Sequence, residues 1–275
     1  SLREANELVG LFISRGPTVQ IRDSNGRIDV LGDYDPEALW TGPLTVMINR
    51  LSASASEIFA GAIQDYRRGL VVGSRTFGKG TVQTLQPLQH GQIKLTTAKF
   101  YRISGESTQH EGVSPDIHFP SLIDEEEIGE SALDFALPWD QVRPVRFGRY
   151  SELDRWIPEL TNRSRARTSD NPDFTHIWDE LQLINKQRAL TALPLNEAAL
   201  REQRDQFDKA QIDIENQRRM AKNQSPISSL DELLAESVDG EEPVNADAEA
   251  LLHESGELTI DLIELQIEHG RQLKS

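Results

Sequence analysis

The sequence predicts an α/β (α+β) core with a βαβ unit and a mixed sheet, followed by a mainly α-helical C-terminal domain. Three observations carry this. An apolar run, an amphipathic stretch and a second apolar run succeed one another across residues 44–73. Short runs of alternating polarity, punctuated by turn residues, stand on either side. Beyond about residue 122 the chain becomes charged, with apolar residues at three- and four-residue spacing. A length of 275 residues accommodates one large domain or two ordinary ones. We expect the division at 1–122 and 123–275.

The elements follow in order. LVGLFISRG reads as a helix end, and TVQIRDSNGRIDVLGDY as strands with Asn25-Gly26 as the hairpin turn. LTVMIN (44–49) is a buried strand, SEIFAGAIQDYRR (56–68) a helix with Gly69 as its C-cap, and LVVG (70–73) a second buried strand. Such a crossover makes the two strands parallel. TVQTLQPL and IKLTTAKFYRI alternate as strands joined at His90-Gly91, and GVSPDIHFPS is extended. An acidic connector follows, which Phe135, Leu137 and Trp139 are expected to anchor in the core. FTHIWDELQLINKQRAL and LNEAALREQRDQFDKAQIDIENQRRMAKN are helical in pattern. Residues 229–275 carry 13 acidic and 2 basic residues, a balance of 2 − 13 = −11 within a total of −16. ESVDGEEPVNADAEA reads as a disordered loop, with a closing helix after it.

Composition excludes several classes. A net charge of −16 disfavours nucleic acid. Cysteine is absent, which removes disulfides and thiolate chemistry. The six histidines show no HExxH or similar spacing, so neither a metal nor another cofactor is expected. No run of 18 apolar residues is present to span a membrane, which leaves peripheral association open. The opening SLREANELVG resembles the middle of a protein, and an N-terminal portion is expected to precede it.

The segment Asn49–Glu57 lies between a buried strand and a helix. A serine there has its hydroxyl exposed, and the free N–H groups of the helix point toward an oxygen that turns negative in acyl transfer. Ser54-x-x-Glu57 is also a capping box, the reading this segment alone favours. Ser52 and Ser56 stay open as alternatives, although Ser54 is best placed at the junction. Gly73–Gly80 nearly spells a phosphate-binding loop ending at Lys79. Gly80 occupies the Ser/Thr position, however, and a strand-like run follows where a helix is required. Taken alone, Lys79 otherwise reads as an ordinary exposed lysine in a glycine turn, or as a general base, which requires the neutral amine. A bend at Gly80 would bring the Gln83 amide back to orient it.

Together, NRLSASASEIFAGAIQDYRRGLVVGSRTFGKGTVQ resembles the catalytic signature of the tail-specific (C-terminal processing) proteases, serine peptidases of the S41 type. The family pattern puts the base lysine 25 residues after the nucleophile, and 79 − 54 = 25 selects Ser54. By this resemblance Ser54 is the nucleophile, Lys79 the base and Gln83 its positioner. The Ala55 N–H is an oxyanion donor, and Asp65 is a supporting acidic residue. Residues 125–275 resemble, more loosely, the helical region of the large periplasmic members.

The resemblance implies a peptidase core and an endopeptidase that recognises proteins by exposed apolar C-termini, in the periplasm. It also implies that a PDZ domain and a second oxyanion donor lie before Ser1, so that this stretch alone is inactive. Two other readings remain. One is a non-catalytic module whose helical tail, with Trp156 and Trp178, docks an envelope adaptor. The other is nucleotide binding at the Lys79 loop.

Overall fold

Residues 44–73 form the expected βαβ unit in the computed structural model, which describes residues 1–236 and 246–272. Strands β3 (Thr45–Ile48) and β4 (Leu70–Gly73) pair in parallel on either side of α2 (Ala55–Asp65) in the chain, in register Thr45 to Leu70 through Ile48 to Gly73. A short strand β7 (Ile117–His118) adds to β4, also in parallel. A second, antiparallel sheet has the order β2-β1-β6-β5, from β1 (Gly16–Asp23), β2 (Ile28–Asp33), β5 (Thr81–Pro87) and β6 (Gln92–Tyr101). The parallel and antiparallel pairings of the expected mixed sheet are thus divided between two sheets. Both predicted hairpin turns form, with Gly26 at φ 82° and Gly91 at φ 85°, where only glycine is free of strain.

Helix α2 is the hub of the core. Ile58 packs with Val19 and Phe100 of the antiparallel sheet and with Ala5 of α1 (Leu2–Gly10). Ala60 and Ile63 pack with Ile48 and Val71 of the parallel one. Ala62 and Tyr66 join Val9, Ile13 and Ile103. A helix apolar on several faces belongs in the interior, and burying a side chain such as Ile63 stabilises the fold by about 1.5–3 kcal/mol.

The end of α2 differs from expectation. The left-handed residue is Arg67 at φ 50°, not Gly69. Arg67 N–H bonds to Gln64 O and Arg68 N–H to Ile63 O, both at 3.0 Å, which is the Schellman pattern. Gly69 has a different task. A Cβ there would stand 2.6 Å from the Leu44 carbonyl, so it permits the chain to pass β3 closely.

The chain divides into two compact units. One holds residues 1–119, 123–160 and 258–275, the other 120–122 and 161–257. In the first, the acidic connector is tied down differently from expectation. Phe135 is 96% exposed, and Leu137 and Trp139 are exposed at 42% and 38%. Asp140 is the anchor instead. It meets Lys99 at 2.5 Å, the Tyr101 hydroxyl at 3.1 Å, and Arg22. In an irregular segment no periodicity marks which apolar residues face inward, so composition picked the wrong ones.

The helices are α3 (Ile157–Thr168), α4 (Pro172–Arg188), α5 (Glu197–Ala221), α6 (Leu230–Glu236) and α7 (Ala246–Gln272). Asn171 caps α4 by accepting from the Asp173 and Phe174 N–H groups, and Asn196 caps α5. The expected closing helix is α7. Most of the predicted acidic loop (237–245) lies outside the described residues, and its last five residues already belong to α7. No described helix is long and apolar enough to cross a membrane.

Candidate active site

The turn between β3 and α2 sorts its three serines. Asn49 and Ser52 build the turn itself. The Asn49 side chain accepts the Leu51 N–H at 3.0 Å, and the Ser52 hydroxyl accepts the Asn49 N–H at 3.2 Å. Ser56 is exposed in the first turn of α2. Ser54 is the N-cap and sits at φ 55°, ψ −107°, a region that side-chain-bearing residues seldom occupy. Strain of this kind, about 1–3 kcal/mol, persists where the surroundings hold it. Ser54 itself is held through its backbone: its N–H bonds to Glu57, and its carbonyl accepts the Glu57 and Ile58 N–H groups.

Glu57 does the holding. It is fully buried, and its carboxylate accepts four donors. One oxygen takes the Ser54 N–H at 2.6 Å and the Lys79 N–H at 2.9 Å. The other takes the Thr76 hydroxyl at 2.6 Å and the Gly78 N–H at 2.7 Å. Burial pushes the Glu57 carboxyl up to about 7, against the pull of those four hydrogen bonds. The sequence marks Glu57 only as a helix-capping residue. The structure makes it the joint between the serine turn and the lysine loop.

Arg50 makes a second joint that the sequence did not reveal. Its side chain is wholly buried, donating to the Thr76 carbonyl at 2.5 Å, the Glu125 carbonyl at 2.8 Å and the Ile128 carbonyl. An arginine directly after an apolar strand was the available signal, since a charge so placed must find partners. Phe77 N–H also bonds to Ser52 O at 2.9 Å.

The lysine loop depends on its glycines. Gly78 lies at φ 87°, and a Cβ would come within 2.8 Å of the His110 backbone. At Gly80 a Cβ would lie 2.7 Å from the Gln109 nitrogen. From there the chain enters β5, not a helix, so the loop lacks the helix N-terminus that a phosphate site requires.

The structure brings Lys79 and Gln83 together. Four residues of straight strand separate Cα atoms by about 13 Å. Here the register of β5 slips between Val82 and Gln83, and Lys79 Nζ lies 3.3 Å from Gln83 Oε1. Gln83 in turn donates to Thr96. The half-buried Lys79 ammonium makes no ion pair with a carboxylate and no hydrogen bond to the Ser54 hydroxyl among the described residues.

The Ala55 N–H, first in α2, is left without a partner among the described residues. Asp65 is at the other end of that helix. It pairs with Arg102 at 2.5 Å and accepts the Ser104 N–H at 3.4 Å, fastening α2 to the end of β6.

Residues 1–119 match the sequence model of peptidase family S41, and residues 123–264 that of the C-terminal domain of tail-specific protease. A tail-specific protease of Haemophilus influenzae is 40% identical over 245 residues, which cover 85% of this chain and 35% of that protein. A carboxy-terminal-processing protease of Bartonella bacilliformis is 44% identical over 122 residues, 42% of this chain and 27% of that one. The chain thus spans about a third of the length of these relatives or less. Among solved structures, a photosystem II D1 C-terminal processing protease is 37% identical, with a TM-score of 0.40, over 46% of this chain and 32% of its own.

Proposed function

We propose, because this chain belongs to the tail-specific proteases of peptidase family S41, that it carries the nucleophile and base of a serine endopeptidase that selects proteins by an apolar C-terminal tail. The observation that supports this most directly is the Glu57 clamp. One carboxylate holds the backbones of Ser54 and Lys79 while the lysine side chain stays clear of any carboxylate among the described residues. A lysine paired with an acid would stay charged and could not act as a base.

In this reading neutral Lys79 takes the Ser54 proton as Oγ attacks the scissile carbonyl. The oxyanion forms against the Ala55 N–H. Lys79 then returns the proton to the leaving amine, which departs from an acyl-serine. Water, deprotonated by Lys79, attacks the ester and frees Ser54. Gln83 orients the amine throughout. Reach between Ser54 Oγ and Lys79 Nζ tightens with substrate in place, as catalytic hydrogen bonds commonly do.

Ala55 is one oxyanion donor, and loss of a donor typically costs about 10²–10³ in rate. We therefore take the 275 residues by themselves to be inactive or nearly so, with substrate capture and the second donor supplied by chain outside them, in a periplasmic enzyme. The test compares the protein extended to the length of its relatives with its Ser54→Ala and Lys79→Ala variants, on a substrate with an apolar C-terminus. Undiminished cleavage by either variant overturns the assignment.

A second reading concerns the helical unit. Trp178, Leu193 and Leu195 are exposed there, although apolar, which suits docking of an envelope adaptor. Retention of a purified adaptor by Trp178→Ala and Leu195→Ser variants, at unchanged affinity, would remove this reading.

A further inference from the structure

His176 and Glu180 stand one turn apart on one face of α4, and Asp247 reaches them from the first turn of α7. One ring nitrogen and one oxygen from each carboxylate lie within 4.8 Å of one another. The three line a cleft of about 230 Å³ within the helical unit.

The imidazole is set as a metal ligand would be. Its Nδ1 is shielded from solvent, has no hydrogen-bond partner among the described residues, and lies 3.4 Å from an Asp247 oxygen. Its Nε2 lies 3.3 Å from a Glu215 oxygen on α5. A histidine that binds a metal through one nitrogen usually donates its other N–H to a carboxylate, which fixes the tautomer. Glu180 makes no hydrogen bond or ion pair among the described residues.

We propose that His176, Glu180 and Asp247 form a binding site for a divalent cation of the Zn²⁺ class. One imidazole and two carboxylates suit Zn²⁺ and its first-row neighbours, whereas Mg²⁺ and Ca²⁺ take oxygen ligands almost exclusively. Ligand atoms around an ion bound at about 2.0–2.2 Å stand roughly 3–4 Å apart. Small side-chain rotations close a 4.8 Å spread to that range.

Charge favours the same outcome. Glu180, Glu215 and Asp247 face Arg218 and Arg219, a local balance of 2 − 3 = −1 before any cation enters. Arg218 holds Glu215 at 2.7 Å and Asp247 at 3.4 Å. The spacing of the histidines does not reveal this set, because Asp247 follows Glu180 by 247 − 180 = 67 residues.

The test titrates the full 275-residue chain, first stripped with a chelator, with Zn²⁺ by calorimetry and with Co²⁺ by visible absorption. We expect one ion per chain, visible Co²⁺ bands, and no competition from Mg²⁺ in excess. Glu180→Gln weakens binding at least about tenfold, the scale of change seen at metal sites, and His176→Ala abolishes it with helical circular dichroism retained. Absence of saturable one-to-one binding, or equal affinity in the wild type and Glu180→Gln, overturns the proposal. Should His176→Ala fail to fold, the shape-preserving Glu180→Gln decides alone.

Discussion

Glu57 accepts the backbone N–H of Lys79 at 2.9 Å on the same oxygen that accepts the Ser54 N–H at 2.6 Å. Ser54 and Lys79 are therefore both set through their main chains by a third, buried residue. The lysine side chain is left free to reach Gln83. This arrangement and the core beneath it can be tested residue by residue.

Glu57→Gln keeps the shape of the side chain but turns an NH₂ toward groups that are themselves donors. Leaving buried donors unsatisfied costs about 1–3 kcal/mol. We expect a loss of unfolding free energy of that size. Proteolysis in the extended protein falls more than the unfolded fraction accounts for, because Ser54 and Lys79 lose a common reference point. Full activity with unchanged stability would show that the clamp is dispensable.

Glu57 also makes stability depend on pH. Its folded value is about 7, above the ordinary 4.5. Between those limits the folded protein binds more protons at this site than the unfolded one. Stability from this group is thus fully present below about 4.5 and is lost as pH rises through about 7. A tenfold difference in proton affinity between folded and unfolded chains corresponds to about 1.4 kcal/mol, so the wild type loses a few kcal/mol relative to Glu57→Gln across that window. Parallel melting curves for the two from pH 4.5 to 8 would contradict this.

Gln83→Ala is expected to leave stability within about 0.5 kcal/mol, since the residue is exposed. Its effect is expected on turnover, about 10–100-fold in kcat with a smaller change in KM, since the role proposed for it is to orient the base. Steady-state kinetics on the extended protein separate the two. A change confined to KM points to substrate contact instead.

Arg50→Ala removes a wholly buried cation that joins the serine turn to the Thr76 and Glu125 carbonyls. The carbonyls it serves lose their donor, at about 1–3 kcal/mol for each left buried and unsatisfied. We expect a melting temperature several degrees lower. Arg50→Lys recovers only part of it, because an ammonium cannot reproduce the planar fork.

Much of this molecule was legible in the order of its residues. Alternation and turn residues located both hairpins, and the 44–73 pattern located the βαβ unit, because strand and helix periods are local consequences of backbone geometry. The resemblance to the S41 signature, with its 25-residue spacing, points to Ser54 and Lys79. Local pattern failed where long-range partners decide. Phe135 looked like an anchor and is exposed, whereas Asp140 looked like one more acid and holds Lys99, Tyr101 and Arg22. Gly69 looked like a helix stop, but Arg67 is the left-handed residue.

The sequence by itself determined which residues are chemically equipped: a serine at a strand–helix junction, a lysine in a glycine loop and a glutamine four residues on. Only the tertiary structure decided what holds them. A buried charge takes its role from the donors that surround it, and those of Glu57 come from positions 54 and 76–79, on both sides of a helix and a strand. No local reading of Ser54-x-x-Glu57 can separate a helix cap from that joint, because the capping bond is the same in both.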